Sequence, residues 1–277
     1  MSWSNRESIV AALFFGAVFV GLAAAGTEPI ASFLASALST GVLAIPLARW
    51  SWFERRIEFA AAETQASIEL AGLLPLRAPL RPMTGWAITP ELGSILVRTV
   101  LERRPKTIVE LGSGVSSIVH GYSLELVGGG RVIALDHDAA YAEVTRREIA
   151  LHGLSDTVTV VDAPLVPQRV GAETFDWYSL TNLPEETRID LLLVDGPPAR
   201  TGRLARYPAL PLLLSRLADG ATLVLDDAAR HSERAIVERW LRDHGADLEH
   251  VFHPTRKGVS VFVVRRRDAS VNSASLA

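Results

Sequence analysis

The stretch from Thr107 to Ser117, TIVELGSGVSS, constrains this chain more than any other. Its first five residues are mostly apolar or β-branched, the composition of a buried strand, and the following SIVHGYSLELV has the length and spacing of a helix. Between them lies Gly112-Ser113-Gly114, a turn with almost no side chain. Such a turn bends the backbone sharply and brings a ligand against bare amides at a helix N-terminus, where the helix dipole favours negative charge. The dinucleotide fingerprint G-x-G-x-x-G is met only in part, because Ser117 stands where the third glycine would be, and an ordinary tight turn fits the same residues. Two acids narrow the reading. Glu110 sits two residues before the first glycine, and Asp136 follows the next apolar strand, RVIAL. Acids at both strand ends suit a nucleoside carrying positive charge better than a dinucleotide.

Strand and helix patterns alternate from there on. Strands are expected at Thr107 to Leu111, Arg131 to Leu135, Val158 to Val161, Ile189 to Val194 and Ala221 to Leu225. Helices are expected near Glu91 to Arg103, Ser116 to Val127, Ala140 to His152, Ala205 to Leu217 and Glu233 to His244, and LEHVFH and VSVFVVRR read as two closing strands. The fold class is therefore α/β, a doubly wound and mostly parallel seven-stranded sheet with right-handed crossovers. Ligands of such sheets bind beyond the carboxyl ends of the strands, so the residues just after each strand are the ones to examine.

With VELGSG, ALDHD, VTVVDAPL and IDLLLVDGPP in this order, the sequence resembles the class I S-adenosylmethionine-dependent methyltransferases over about Thr84 to Arg265. The resemblance implies that Glu110 and the turn Gly112, Ser113 and Gly114 surround the methionine part of S-adenosylmethionine. It also implies that Asp136, with His137 beside it, accepts hydrogen bonds from both ribose hydroxyls. Asp162 would receive the adenine amino group, with the Ala163 backbone close to the ring. On the residues alone Asp162 serves equally as a loop cap, and Asp138 can exchange roles with Asp136.

Asp195 ends the most apolar strand and Asp226-Asp227 end the next. Three carboxylates at adjacent strand ends repel one another unless a positive group lies between them. Mg²⁺, which prefers carboxylate oxygens and water, is the candidate, and the arrangement is similar to metal-dependent O-methyltransferases of the catechol type. Where that type has a lysine shortly after its first acid, this chain has Gly196-Pro197-Pro198. His231 or His137 is left to act as base, with Asp195 the other catalytic candidate. The plainer alternative has Asp195 touching cofactor or loop backbone while Asp226 and Asp227 cap the following helix. Arg200, Arg203 and Arg206 with Tyr207 read either as a solvated loop or as a mouth for an anionic acceptor, and Trp177-Tyr178 as an aromatic wall or as core.

Composition bears on the rest of the chain. Of 277 residues 48% are hydrophobic, and the excess lies in two apolar runs, Ile9 to Ala25 and Ile30 to Ala48, joined by Gly26-Thr27-Glu28-Pro29. Runs of this length with so short a turn predict a transmembrane helical hairpin. Ala23-Ala24-Ala25 would suit a signal-peptide cleavage site, but the second run argues against that reading. Arg6 before the hairpin and Arg49, Arg55 and Arg56 after it place the catalytic domain on the cytoplasmic side by the positive-inside rule. The expected organisation is a hairpin over 1–52, a helical stalk and proline-rich linker over 53–83, the S-adenosylmethionine-binding domain over 84–267 and a disordered tail over 268–277. There is no cysteine, which excludes disulfides, thiolate metal sites and a cysteine nucleophile, and a net charge of −3 gives no sign of nucleic-acid binding.

The expected function is a membrane-anchored methyltransferase acting on an oxygen of a small or lipid-linked acceptor, with Mg²⁺ as an additional cofactor candidate and a homo-oligomer compatible with the stalk helix. The competing readings are another transferase on the same fold, such as an aminopropyl transferase, and a non-catalytic membrane-tethered cofactor-binding module.

Overall fold

The computed structural model describes residues 50, 53, 54 and 56–265. Two compact units divide the chain, Met1–Ala62 and Glu63–Ala277. In the first, the described residues are helical. The apolar runs read as a membrane hairpin, and the tail over 268–277, lie outside the described residues. Among those described, no helix is long and apolar enough to cross a membrane.

The second unit begins with helix α1, residues 63–73, which buries Ala66 and Leu70, with Leu74 just beyond its end. This four-residue spacing puts the three on one helix face. The face meets α2 (Pro90–Arg103) so closely that a Cβ at Gly93 would lie 2.8 Å from a Leu70 methyl. Thr89 caps α2 by accepting the Leu92 amide at 3.2 Å, and Pro90 occupies the first turn, where its missing N–H costs nothing. The expected linker is thus part of this unit. Leu76, Leu80 and Met83 pack on the core, and Arg77 forms a two-pronged ion pair with Glu125 at 2.9 Å while its Nε donates to the His152 carbonyl at 2.6 Å. The compact unit that holds the sheet begins at Glu63.

Among the described residues nine strands follow: β1 (Thr107–Leu111), β2 (Arg131–Asp136), β3 (Val158–Asp162), β4 (Leu165–Val170), β5 (Glu173–Tyr178), β6 (Ile189–Val194), β7 (Leu217–Leu225), β8 (Leu248–His253) and β9 (Val259–Val264). Seven form one sheet in the order β3-β2-β1-β6-β7-β9-β8, all pairs parallel except β7-β9 and β9-β8. Both faces are covered: β1 is buried along its whole length and β6 nearly so, as expected for central parallel strands. Helices α3 (Val115–Leu126) and α4 (Ala139–Leu151) follow β1 and β2, the short α5 (Ala209–Leu213) precedes β7, and α6 (His231–His244) follows it.

The seven-stranded architecture matches the α/β expectation. The order reverses between β1 and β6, where successive connections leave on opposite sides and open a crevice at the strand ends. Two details differ from the sequence pattern. Residues 165–178 form a separate antiparallel hairpin, β4-β5, turning at Gly171 with φ of 61°. The helix expected over 205–217 shrinks to α5, because Pro208 and Pro211 allow only a single short turn sequence there.

Candidate active site

Parallel register carries the ladder one residue beyond each strand. Gly112 N–H donates to the Leu135 carbonyl at 2.8 Å, Asp195 N–H to Leu111 at 3.1 Å, and Asp226 N–H to Val194 at 3.1 Å. The strand-end residues thereby stand in one row over the crevice. A cleft of about 170 Å³ opens there, floored by Gly112, Ser113 and Gly196. Gly112 has φ of 104°, a conformation that side chains oppose, and a Cβ at Gly196 would lie 2.1 Å from the Tyr178 hydroxyl. Both positions need glycine, one for its backbone and one for space. Asp136, Asp138 and Asp195 supply the acids of the cleft, Trp86, Tyr141 and Tyr178 its aromatic rings, and His137 and Arg200 its remaining polar groups.

Asp136 is buried and holds the glycine turn. Its Oδ2 accepts from the Ser113 amide at 3.1 Å and the Ser113 hydroxyl at 2.5 Å, and its Oδ1 from the Asp138 amide at 3.0 Å. A carboxylate offers about four lone-pair positions, so one on Oδ1 is left for a ligand. Asp138, also lining the cleft, spends its Oδ1 on the first amides of α4, at 3.0 Å from Ala140 and 3.1 Å from Tyr141.

Glu110 lies elsewhere. It is fully buried behind the turn, accepting from Ser116 Oγ at 3.1 Å and Ser117 Oγ at 2.5 Å and pairing with His120 Nδ1. Its carboxylate ties β1 to the first turns of α3 and does not line the cleft. Asp162 is likewise turned outward, paired with Arg146 at 2.6 Å, and the Ala163 amide is taken by the Asp136 carbonyl at 2.7 Å. His137 does reach the cleft, its ring edge-on to Tyr178 at 6.0 Å between centroids. His231 does not. It is exposed at the start of α6, so only His137 of the two candidate bases stands at the cleft.

Asp195, Asp226 and Asp227 do converge, offering one oxygen each within 4.8 Å of one another. Neighbours along a strand point to opposite faces, but Asp227 has φ of 59°, and this left-handed step turns its carboxylate to the same side as Asp226. Arg206 enters the cluster. Its Nη2 lies 2.9 Å from Asp227 Oδ2 and 3.4 Å from Asp195 Oδ1, and its Nη1 donates to the Asp226 carbonyl at 3.0 Å. With only 4% of its surface exposed, Arg206 is not the acceptor-recruiting mouth residue or the solvated loop residue that the sequence offered. Arg230 lies 2.8 Å from Asp227 Oδ2, and Lys257 Nζ 4.0 Å from Asp226 Oδ2. Burial, followed by repulsion from Asp226, raises the Asp195 pKa well above the usual carboxylate range, and burial with repulsion from Asp227 raises that of Asp226.

Trp177 and Tyr178 are core residues, both fully buried, and Tyr178 also closes one side of the cleft. Burial raises the Tyr178 pKa well above its usual value, which keeps the phenol protonated. Trp86 and Tyr141 were not singled out by sequence reasoning. Neither follows a strand, and their only signal is an aromatic ring in a polar stretch.

This fold is similar to that of methyltransferase domains. Residues 109–228 match the family model described as a methyltransferase domain. The chain is 30% identical over 119 residues to catechol O-methyltransferase B of Danio rerio, an overlap of 40% of this chain and 45% of that protein. It is 27% identical over 118 residues to catechol O-methyltransferase of Bos taurus, covering 43% of it, so the match spans less than half the length of these curated relatives. Among solved structures, an O-methyltransferase from Bacillus cereus in complex with SAH aligns with a TM-score of 0.52 at 17% identity, over 74% of this chain and 91% of that one. The O-methyltransferase TomG from Streptomyces achromogenes in complex with SAM aligns with a TM-score of 0.50 at 18% identity, over 76% and 90%. At such identities the likeness speaks for the fold.

Proposed function

We propose that this protein is an S-adenosylmethionine-dependent O-methyltransferase anchored to a membrane. The observation that carries the reading is the cleft at the β1–β6 switch point, where the Gly112-Ser113-Gly114 turn meets Asp136, Asp138 and Asp195. An acid-lined cleft suits a ligand bearing a sulfonium charge. The open position on Asp136 Oδ1, the Asp138 carboxyl and the Ser113 hydroxyl offer partners for the ribose. The bound cofactor supplies the activated methyl group, and the chain's own work is alignment and exclusion of water. Asp195 in its ionised form, above the pKa that burial raises, takes the proton of the attacking hydroxyl, while His137 and Tyr178 border the same space. When bound, S-adenosylmethionine would give its methyl group to the acceptor oxygen and be left as a neutral thioether, with Ser113 and Asp136 placed to hold it.

Three carboxylates with unpaired oxygens on Asp226 and Asp227 have the donor chemistry of a hard divalent cation, but a guanidinium already bridges two of them. No step is assigned to a metal. The apolar runs at 9–25 and 30–48 support anchoring, with the domain on the cytoplasmic side, and an anchored cleft suits a lipid-linked or other amphipathic acceptor. Calorimetric titration of the full chain in detergent with S-adenosylmethionine and S-adenosylhomocysteine tests the cofactor. Saturable binding of both is expected, and a folded sample that binds neither overturns the reading. Recovery of the full chain in the soluble fraction without detergent would overturn the anchor.

A further inference from the structure

We propose that Arg206 is the resident cation of the three-acid centre, occupying with its guanidinium the place between Asp195 and Asp227 that a divalent metal would need. The inference concerns the same site as the proposed methyl transfer but stands on its own geometry. A metal bridging these carboxylates must lie among their inward oxygens, and Arg206 Nη2 is already there, 2.9 Å from Asp227 Oδ2 and 3.4 Å from Asp195 Oδ1. Its other nitrogen, Nη1, is anchored on the Asp226 carbonyl at 3.0 Å. The side chain is 5% exposed, so it has no solvent-facing position to withdraw to without opening the core.

Charge counting leads to the same place. Asp195, Asp226 and Asp227 carry three negative charges when ionised, and Arg206, Arg230 and Lys257 stand at 2.9, 2.8 and 4.0 Å from their nearest members. Three cations face these three acids, with the buried Glu233 a fourth acid acting on Arg206, and little net charge is left to draw in a divalent ion. The loop that brings Lys257 is itself fixed: Ala228 and Ala229 amides donate to the carbonyls of Gly258 and Lys257 at 2.9 and 3.0 Å, and a Cβ at Gly258 would lie 2.5 Å from the Ala229 nitrogen. The free oxygens, both on Asp226 and Oδ1 on Asp227, are ligand atoms that become usable by a metal once the guanidinium is gone.

The test is a titration of the full chain with Mn²⁺, read by the loss of free-ion electron paramagnetic resonance signal, in wild type, Arg206→Met and Asp226→Asn. The proposal expects the wild type to bind no more tightly than Asp226→Asn, and Arg206→Met to bind at least about tenfold more tightly than wild type. Adding Asp195→Asn to Arg206→Met should abolish the gain. A wild-type site that is lost in Asp226→Asn, or a folded Arg206→Met with no gain, overturns the proposal. If Arg206→Met does not fold, the comparison of wild type with Asp226→Asn still decides it. Cofactor titration of the same samples is read separately, so failure to bind S-adenosylmethionine would remove the methyltransferase reading and leave the Mn²⁺ result standing.

Discussion

At the β1–β2 end of the sheet, Glu110 and Asp136 are buried among partners that donate hydrogen bonds: serine hydroxyls, the Ser113 and Asp138 amides, and His120. At the β6–β7 end, Asp195, Asp226 and Asp227 are gathered around charged groups, and both Asp226 oxygens have no hydrogen-bond partner. The first end uses short neutral donors supplied by its own loop and the next helix. The second relies on an arginine eleven residues beyond Asp195 and a lysine from the last loop. Carboxylates held by fixed dipoles shape a turn, whereas carboxylates buried side by side hold protons more tightly through desolvation and mutual repulsion, which the fixed Arg206 and Lys257 oppose.

Substitutions at the two ends should separate these roles. The largest effect is expected for Asp136→Ala, which removes both the open acceptor and the clamp on Ser113. Calorimetry should show cofactor affinity lowered about tenfold to a hundredfold, the range for one lost hydrogen bond to a charged group. Unchanged affinity would detach Asp136 from the ligand. Glu110→Gln should do the reverse, lowering stability by about 1–3 kcal/mol in urea unfolding because a buried network loses its charge. Cofactor affinity should stay within about threefold of wild type, a difference under ~0.7 kcal/mol. An affinity loss larger than the stability loss would return Glu110 to the ligand site.

The β6–β7 end should show a pH dependence of opposite sign to ordinary acid denaturation. Because the folded Asp195 pKa is raised, the native state holds a proton that the unfolded chain has released. Stability is then lost as pH rises from the usual carboxylate value, about 3.9, through the raised one, with a slope of at most ~1.4 kcal/mol per pH unit for one group. Urea midpoints measured across pH should fall less steeply for Asp195→Asn than for wild type. Equal slopes would mean that Asp195 ionises normally in the folded protein. The smallest effect is expected for His231→Ala, exposed and away from the cleft, where methyl-transfer rates should match wild type. His137→Ala, at the cleft, should lower them.

The strands β1, β2 and β6 were legible because central parallel strands are buried on both faces and read as largely apolar runs, and the edge strand β3 because Val158 and Val160 alternate with exposed Thr159. The β4-β5 hairpin was not, since Leu165–Val170 and Glu173–Tyr178 mix exposed polar residues with a proline and lack a clean alternation. Likewise Leu70 and Leu74 look like part of a stalk until α2 provides the surface that buries them.

The sequence by itself determined the alternation of strands and helices, the glycine turn and the acid at each strand end, because these are local: periodicity, backbone freedom and position relative to an apolar run. What each acid does was decided only by the tertiary structure. Glu110, inside β1, and Asp136, at the end of β2, lie on similar strands, yet one meets the serines and histidine of α3 and the other faces the cleft. Arg206 reads as a surface residue in a row of arginines and becomes a buried counter-ion when β6, β7 and the loop before α5 come together. A carboxylate's role depends on which donors and charges surround it, and those arrive from segments that only the folded sheet makes neighbours.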